Sequence, residues 1–267
     1  MLNRKDVEYN LKDFKKIIFK KYPKNKINKE LLIDENLMRF LIAKNFKLDE
    51  AFTIFEYVNK WRNVELFKKI GNIQVDSILK IKEQFPSYWL STDKLGNPVY
   101  VECPGICSMN NLLQIITMDE LISMYIKNCE YMFTYLYPKL SIQKLSIQKK
   151  LIQTLTIIDL KGVSIGNINN IFYTYLKNII CIGNNYYPET IYKMFIINVP
   201  FMFQSVWSII KIFIPKRTQN KIHILSRGQE NILYEYIDKD KLPPNLNFTN
   251  IEKIYDLEKQ YLDWLNF

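Results

Sequence analysis

The feature that most constrains the fold is an alternation of short apolar runs with stretches of helical length. The short runs have the composition of buried strands and lie at residues 97–102, 155–160, 194–199 and 222–225. The helix-length stretches lie at residues 119–137, 166–184 and 201–213. Continuous apolar strands are typical of a sheet that is covered on both faces. The alternation therefore predicts an α/β domain with a largely parallel sheet.

Residues 1–87 show a different periodicity, that of amphipathic helices. Apolar residues recur there at spacings of three and four, at Leu37, Phe40, Leu41, Ala51, Ile54, Phe55, Val58 and Trp61. This spacing places them on one face of each helix. We therefore expect a small N-terminal helical domain over residues 1–87, the α/β domain over 88–248 and a C-terminal helix over 249–267.

Charge and cysteine content narrow the class of protein. The net charge of +10 suits an anionic partner, such as an acidic membrane leaflet, a phosphorylated headgroup or nucleic acid. Four cysteines in 267 residues do not suggest a disulfide framework, and reduced thiols fit the cytoplasm. Cys103 and Cys107 form a close pair, but a structural zinc site needs four ligands. We expect no metal site.

We expect neither a secretory signal nor a membrane-spanning helix. Charged residues occupy the first turns of the chain, where a signal peptide would carry an apolar region. The most apolar stretch, residues 194–214, is interrupted by Asn198, Pro200 and Lys211. A spanning helix needs roughly 20 predominantly apolar residues. The protein is therefore expected to meet membranes from outside.

Motifs for catalysis are missing from the sequence. It contains no glycine-rich phosphate loop of the Walker or dinucleotide type, and no GxSxG nucleophile turn. The one histidine, His223, lies between two isoleucines of a short apolar run. This position favours a partly buried structural role over a Ser/His/Asp site. We expect no enzymatic activity and no cofactor.

Residues 201–213, FMFQSVWSIIKIF, would be apolar around nearly the whole circumference of a helix. Such a helix is either buried on all sides or touches something apolar other than the core. One alternative is a buried connecting helix of the α/β domain. The other is a helix with one face on a lipid cavity and the other towards a membrane. A basic, hydroxyl-bearing turn follows at residues 215–221, which suits an amphiphile with an anionic head.

Short motifs in a fixed order resemble one known family. In chain order they are LMRFLIAKNF at 37–46, KWR at 60–62, DKLGNPVY at 93–100, DLKG at 159–162, NYYPE at 185–189, IINVPF at 196–201, Trp207 and TQNKI at 218–222. Their order and spacing are similar to those of the CRAL-TRIO lipid-binding family, in its phosphatidylinositol/phosphatidylcholine transfer branch. The resemblance implies a helical N-terminal domain followed by an apolar lipid cavity, which a gate helix closes.

The resemblance also implies two headgroup sites that share one acyl cavity. For the inositol phosphate head, the matching positions are Lys44, Glu189, Thr218 and Lys221. Lys44 stands where the family has an arginine. Fixed cations and hydroxyl donors are the groups that a phosphate prefers.

For the choline phosphate head, the resemblance implies a set of hydroxyls and aromatic rings, namely Trp89, Tyr100, Tyr131, Thr154 and Thr156. Trp89 falls where the family has a further tyrosine. Aromatic faces attract a quaternary ammonium group through the cation–π interaction. The resemblance places the gate helix over residues 201–213, and the side chains that we expect to act in it are Phe201, Phe203, Trp207, Ile210 and Phe213.

The function implied by the resemblance is exchange of a single phospholipid, phosphatidylinositol or phosphatidylcholine, between membranes. It would support phosphoinositide metabolism and vesicle trafficking. The implied partners are the phospholipid as cargo, a transiently contacted membrane surface and a phosphoinositide kinase. We expect a cytoplasmic monomer, peripheral on Golgi or other endomembranes.

Two other functions remain open from the sequence. The first is a different apolar cargo in the same fold, such as a sterol, tocopherol or retinoid. The second is nucleic-acid binding, which the basic charge would allow. Lysines are spread along the chain instead of clustering with aromatic residues on one element, so we expect no nucleic-acid partner.

Overall fold

A single sheet organises the chain. A computed structural model describes residues 4–70, 73–106, 109–144, 151–164, 168–249 and 255–266. Within these ranges the strands are β1 (Ser87–Thr92), β2 (Pro98–Glu102), β3 (Thr154–Asp159), β4 (Ile191–Ile197) and β5 (Ile222–Ile224). Each strand pairs with the next, β1 with β2 antiparallel and the later pairs parallel. The prediction of an α/β fold with a mostly parallel sheet is confirmed.

The helices precede the sheet and fill the connections between its strands. Their bounds are α1 (Arg4–Lys21), α2 (Asp34–Ala43), α3 (Leu48–Trp61), α4 (Phe67–Ile70), α5 (Val75–Gln84), α6 (Met109–Leu112), α7 (Met118–Glu130), α8 (Tyr137–Lys144), α9 (Asn170–Tyr186), α10 (Phe203–Ile210), α11 (Lys216–Gln219), α12 (Leu233–Tyr236) and α13 (Asp256–Leu265). A π-helical stretch, Tyr131–Leu136, joins α7 to α8. Pro138 lies just beyond it and has no N–H to donate, which disfavours regular α-helical bonding there.

The strands present alternate side chains to two different layers. On one face, Val101, Leu155 and Ile157 pack with apolar residues of the C-terminal segment, including Leu233 and Phe248. The opposite face is turned towards α7, α9 and α10. Because one face is packed solid, any internal space must lie on the helical side of the sheet.

The N-terminal helices share a core with the helices that follow the first strands. Phe14, Phe40 and Phe55 are buried and make edge-to-face ring contacts at 6.0 Å and 5.6 Å between centroids. The same apolar cluster extends to Phe133, in the π-helical stretch after α7, and to Tyr261 of α13. The helical region at the N-terminus is therefore present and packs directly against the α/β layers.

The loops that follow β2 and β3 meet at two glycines. Gly162, in the DLKG motif, has φ of +88°, and a Cβ added to it would lie 2.9 Å from the carbonyl oxygen of Gly105. A Cβ on Gly105 would overlap the carbonyl oxygen of Lys161 and lie 2.7 Å from the backbone nitrogen of Val163. Backbone atoms cannot rotate away as a side chain does, so the two loops require a glycine at position 105.

Gly105→Ala should therefore lower the free energy of unfolding by about 3 kcal/mol, the upper part of the usual range for overpacking. Urea unfolding followed by circular dichroism would measure the change. Gly228→Ala is the control, because a Cβ there meets no atom within 4 Å and only the φ of +90° is unfavourable. If the Gly105→Ala protein were as stable as the Gly228→Ala protein, the loops that follow β2 and β3 would be free to move apart, contrary to this prediction.

Candidate functional site

A cavity of about 820 Å³ lies between the sheet and helices α7, α9 and α10. Its wall is largely apolar and includes Ile158, Met194 and Ile196 of the sheet, Met132, Phe172, Leu176 and Ile179 of the helices, and Phe203, Val206 and Trp207 of α10. Ligand sites usually enclose about 300–1,000 Å³. The helical side of the sheet therefore contains room for an apolar ligand.

One end of the cavity carries positive charge, and we call it the cationic end. It contains Lys44, Glu189, Arg217, Thr218 and Lys221. The Glu189 carboxylate forms two ion pairs, one with Lys221 at 3.3 Å and one with Arg217 at 3.2 Å. Lys221 also donates a hydrogen bond to the carbonyl oxygen of Ile191, at 2.6 Å. All four residues predicted for the inositol phosphate head thus lie in the cavity wall, and Arg217 joins them.

A buried arginine positions the turn that carries Glu189. Arg39 donates to the carbonyl oxygens of Glu189, at 2.7 Å, and Ile152, at 2.6 Å. Its guanidinium lies 4.3 Å from the centroid of the Tyr137 ring. Glu189 has φ of +54°, a conformation that non-glycine residues rarely adopt. Arg39, which belongs to the first motif, therefore binds backbone atoms behind the cavity and does not line it.

The residues predicted for the choline phosphate head divide into two groups. Tyr100, Thr154 and Thr156 lie in the cavity wall. Trp89 and Tyr131 do not line the cavity. Both are fully buried behind its wall, where their side chains contact other buried residues. The Trp89 indole donates to Asn128 at 3.0 Å, and the Tyr131 ring packs 5.0 Å from that of Tyr261 in α13.

The segment predicted to be the gate helix, residues 201–213, has one face on the cavity and the other face exposed. Phe203, Trp207 and Ile210 line the cavity. Phe201 is fully exposed and Ile212 is 76% exposed. The regular α-helix is shorter than the predicted segment, and a 3-10 turn, Lys211–Phe213, extends it. Phe201 and Phe213 are therefore on the outside, and the alternative of a helix buried on all sides is wrong.

Sequence reasoning missed several polar residues of the wall, among them Glu102, Tyr125 and Tyr175. Glu102 follows Tyr100 by two positions on β2, so strand alternation could have placed it on the cavity face. Burial raises the pKa of Glu102 to about 7. Tyr125 and Tyr175 belong to α7 and α9, whose rotation about their axes the sequence pattern did not define.

The remaining candidates lie away from the cavity. His223 packs against Phe195, and burial together with Lys193 lowers its pKa. Cys103 is a free, buried thiol. Its predicted neighbour Cys107 lies outside the described residues. Within the described ranges, no helix has the length and apolar content that a bilayer crossing needs.

The fold and the cavity together define a class of proteins. A mostly parallel sheet is packed on one face and turned to an apolar cavity on the other, with a largely apolar helix over that cavity. Comparison with family models identifies the class more closely, because residues 82–247 match the CRAL/TRIO domain. The chain belongs to the CRAL/TRIO domain family, as its motifs predict.

Named relatives agree with this assignment. The Sec14 cytosolic factor of Schizosaccharomyces pombe is 34% identical over 218 residues, which cover 81% of this chain and 75% of that protein. The phosphatidylinositol/phosphatidylcholine transfer protein SFH7 of Arabidopsis thaliana is 33% identical over 208 residues, which cover 78% of this chain but 38% of that protein. The crystal structure of Sfh5 has a similar fold, with a TM-score of 0.65 at 17% identity, covering 100% of this chain and 97% of that one.

Proposed function

We propose that the protein encloses one phospholipid, phosphatidylinositol or phosphatidylcholine, and transfers it between membranes. The observation that carries the proposal is the cavity of about 820 Å³, largely apolar and cationic at one end. A phospholipid has the matching division into apolar tails and a phosphate-bearing head. The names of the relatives, several of which are phosphatidylinositol/phosphatidylcholine transfer proteins, support the same cargo.

An enclosed cavity removes the main barrier to lipid exchange. A lipid that leaves a bilayer exposes its acyl chains to water, at about 0.8 kcal/mol for each methylene group. Apolar side chains of the sheet, α9 and the gate helix can replace the bilayer during transit. In this proposal the gate helix swings away from the sheet at a membrane, admits a lipid and closes over the tails.

The outer face of the gate helix supports direct contact with a membrane. Phe201, Met202, Ile209 and Ile212 are exposed there, next to the exposed base Lys211. Exposed apolar side chains bordered by basic residues suit the interface of an anionic leaflet. We propose that this face enters the headgroup region when lipid is exchanged.

The cellular role follows from the same proposal. The protein acts as a monomer in the cytoplasm, associates transiently with Golgi or other endomembranes, and supports phosphoinositide metabolism and vesicle trafficking. It does so by bulk transfer or by presenting inositol lipid to a phosphoinositide kinase. Relatives named cytosolic factors support the location.

Native mass spectrometry of the purified protein tests the cargo. We expect one phospholipid per chain, with the mass of phosphatidylinositol or phosphatidylcholine. A bound sterol, tocopherol or retinoid would instead favour a carrier of another apolar ligand. A protein that takes up no lipid from vesicles of either phospholipid would contradict the proposal.

Separate headgroup sites predict separate losses of transfer. Lys221→Ala should lower phosphatidylinositol transfer about 10- to 100-fold, because a charge-assisted hydrogen bond contributes about 1.5–3 kcal/mol. Thr154→Val combined with Thr156→Val should mainly lower phosphatidylcholine transfer. Fluorescent-lipid transfer between vesicles measures both.

Lys216→Ala is the control for charge, since Lys216 is exposed and outside the cavity wall. Thr154 lies 2.7 Å from the hydroxyl of Tyr137, so thermal unfolding of the double variant should be recorded alongside. If each variant lost transfer of phosphatidylinositol and phosphatidylcholine equally, the prediction of two separate headgroup sites would be wrong.

A further inference from the structure

The outer face of α1, the first helix of the N-terminal region, has no role in the proposed function. Its members recur at spacings of three and four, which places them on one side of the helix. They are Tyr9, Lys12, Lys16, Phe19 and Lys20. All five are exposed, Tyr9 to 68% and Phe19 to 40%. None of these five side chains lines the cavity.

The opposite side of α1 is fixed in the core of the helical region. Phe14 and Ile18 are fully buried there. The Phe14 ring meets that of Phe55 in α3 edge to face, at 6.0 Å between centroids. Turning α1 about its axis would bring these apolar groups into water, which is unfavourable. The helix therefore presents its lysines and its two exposed rings outward.

The outer face of α1 is positively charged. Its three lysines lie near one carboxylate, that of Asp13, which pairs with Lys16 at 2.8 Å. Asp13 is the one acidic residue of the sequence between positions 9 and 29. Lys24, in the turn after α1, adds to the charge, because its ammonium lies 5.3 Å from the centroid of the Phe19 ring. The exposed ring of Phe19 is thus surrounded by lysines.

Solubility and the helix dipole explain only part of this face. Lys20 is in the last turn, where a cation stabilises the helix dipole. Lys12 and Lys16 lie earlier in the helix, and the dipole effect does not extend beyond the last turn. A face that served only to keep α1 in water would also gain nothing from two exposed aromatic rings. The rings indicate a surface that binds something.

Lysines that alternate with aromatic rings on one side of a helix suit the interface of an anionic membrane. Lysines are attracted by anionic headgroups, and rings enter the layer between headgroups and acyl chains. We propose that the outer face of α1 docks on the anionic headgroups of a membrane leaflet, as a contact separate from the gate helix. Docking of this kind goes beyond the proposed function, because a carrier could exchange lipid at neutral membranes without it.

Lys12→Gln combined with Lys20→Gln tests the charge of this face. Vesicles that contain phosphatidylcholine and phosphatidylserine in equal amounts are sedimented, and the bound protein is measured. Each lysine near an anionic surface strengthens binding about fivefold, so the double variant should bind about 25-fold more weakly than the wild type. At about 1 M salt, where charges are screened beyond about 3 Å, the difference should largely disappear.

Lys80→Gln combined with Lys259→Gln is the matched control for charge. Both lysines are exposed, on α5 and α13, and their replacement lowers the net charge of the protein by the same amount. Binding of this control to the anionic vesicles should stay within about twofold of the wild type, because its lysines lie outside the proposed docking face.

Phe19→Ser tests the aromatic part of the face independently of charge. We expect binding to the same vesicles to fall about fivefold, because only the exposed 40% of the ring can enter the membrane. Leu79→Ser is the control, since Leu79 is exposed to a similar extent, 41%, on α5. Thermal unfolding of both variants should match that of the wild type.

Three results would overturn the proposed docking. They are wild-type binding by the α1 lysine variant, an equal loss in both lysine variants, and a wild type that is retained on DNA but not on anionic vesicles. Transfer of phosphatidylcholine between neutral vesicles should be the same in every variant, so each of these results leaves the proposed function standing. A wild type that binds anionic vesicles through α1 but takes up no lipid would instead contradict the proposed function alone.

Discussion

Glu130→Ala is expected to lower the free energy of unfolding by about 3–5 kcal/mol, the usual effect of removing one partner of a buried ion pair. The Arg62 guanidinium, 1% exposed, donates two hydrogen bonds to the Glu130 carboxylate, at 2.8 Å and 2.5 Å. The Tyr187 hydroxyl donates to the same carboxylate at 2.7 Å. Without Glu130, the positive charge of Arg62 would remain buried and uncompensated.

Glu50→Ala is the matched control for this prediction. Its carboxylate accepts from Lys47 at 2.9 Å, but both side chains are exposed. Exposed pairs of this kind contribute little to stability, so Glu50→Ala should hardly change it. Urea unfolding of both variants measures the difference, and equal losses would show that the Arg62–Glu130 pair is solvated in solution. Replacing both partners by leucine should recover part of the lost stability, because no unpaired charge then remains.

Phe201→Asp combined with Ile212→Asp should reduce lipid transfer between vesicles about 100-fold or more. Each side chain is exposed on the outer face of the gate helix, and burying one such group in a membrane contributes about 1.5–3 kcal/mol. Two aspartates remove that contribution and also repel an anionic leaflet. Since neither side chain packs in the core, thermal unfolding should hardly change.

Ile142→Asp is the control for the gate prediction. Ile142 is 70% exposed, on α8, so its replacement adds a charge and removes an exposed apolar group away from the gate helix. Transfer by this variant should match that of the wild type when measured with the same vesicles. A double gate variant that transfers lipid at the wild-type rate would exclude insertion of this face into the membrane.

The sheet was largely predictable from the sequence, because strand composition and alternation are local properties. The runs at 97–102 and 155–160 lie within one residue of β2 and β3. β1 was not predicted, since its mixed sequence becomes a strand only by pairing with β2 across a turn. β4 begins at Ile191, three residues before its predicted run, because Ile191 and the more polar Lys193 extend the pairing with β3.

The candidate site was predictable where motifs fall on strands or turns, and less so where distant elements meet. Lys221 and Glu189 lie together, although 32 positions separate them. Tyr131 was expected in the cavity, yet α13 supplies Trp264, whose ring centroid is 5.5 Å from that of Tyr131. Glu102 was not predicted in the cavity, yet it lines the cavity wall. A charge at the end of a strand suggests solvent. Strand alternation puts Glu102 on the same face as Tyr100, but only the folded arrangement shows that this end of the face lines the cavity.

The sheet is packed on one face and borders the cavity on the other, and this difference would determine how the protein adapts to acyl tails of different length in the proposed cargo. Leu155 and Ile157 of β3 are fully buried against the C-terminal layer, so this wall cannot yield without disturbing a packed core. Across the cavity, Leu176 and Ile179 of α9 are only partly buried. A change in the volume of the cavity must therefore come from movement of its helical wall, while the sheet stays rigid. Longer acyl chains would be accommodated by an outward shift of α9 and α10, with strand spacing unchanged.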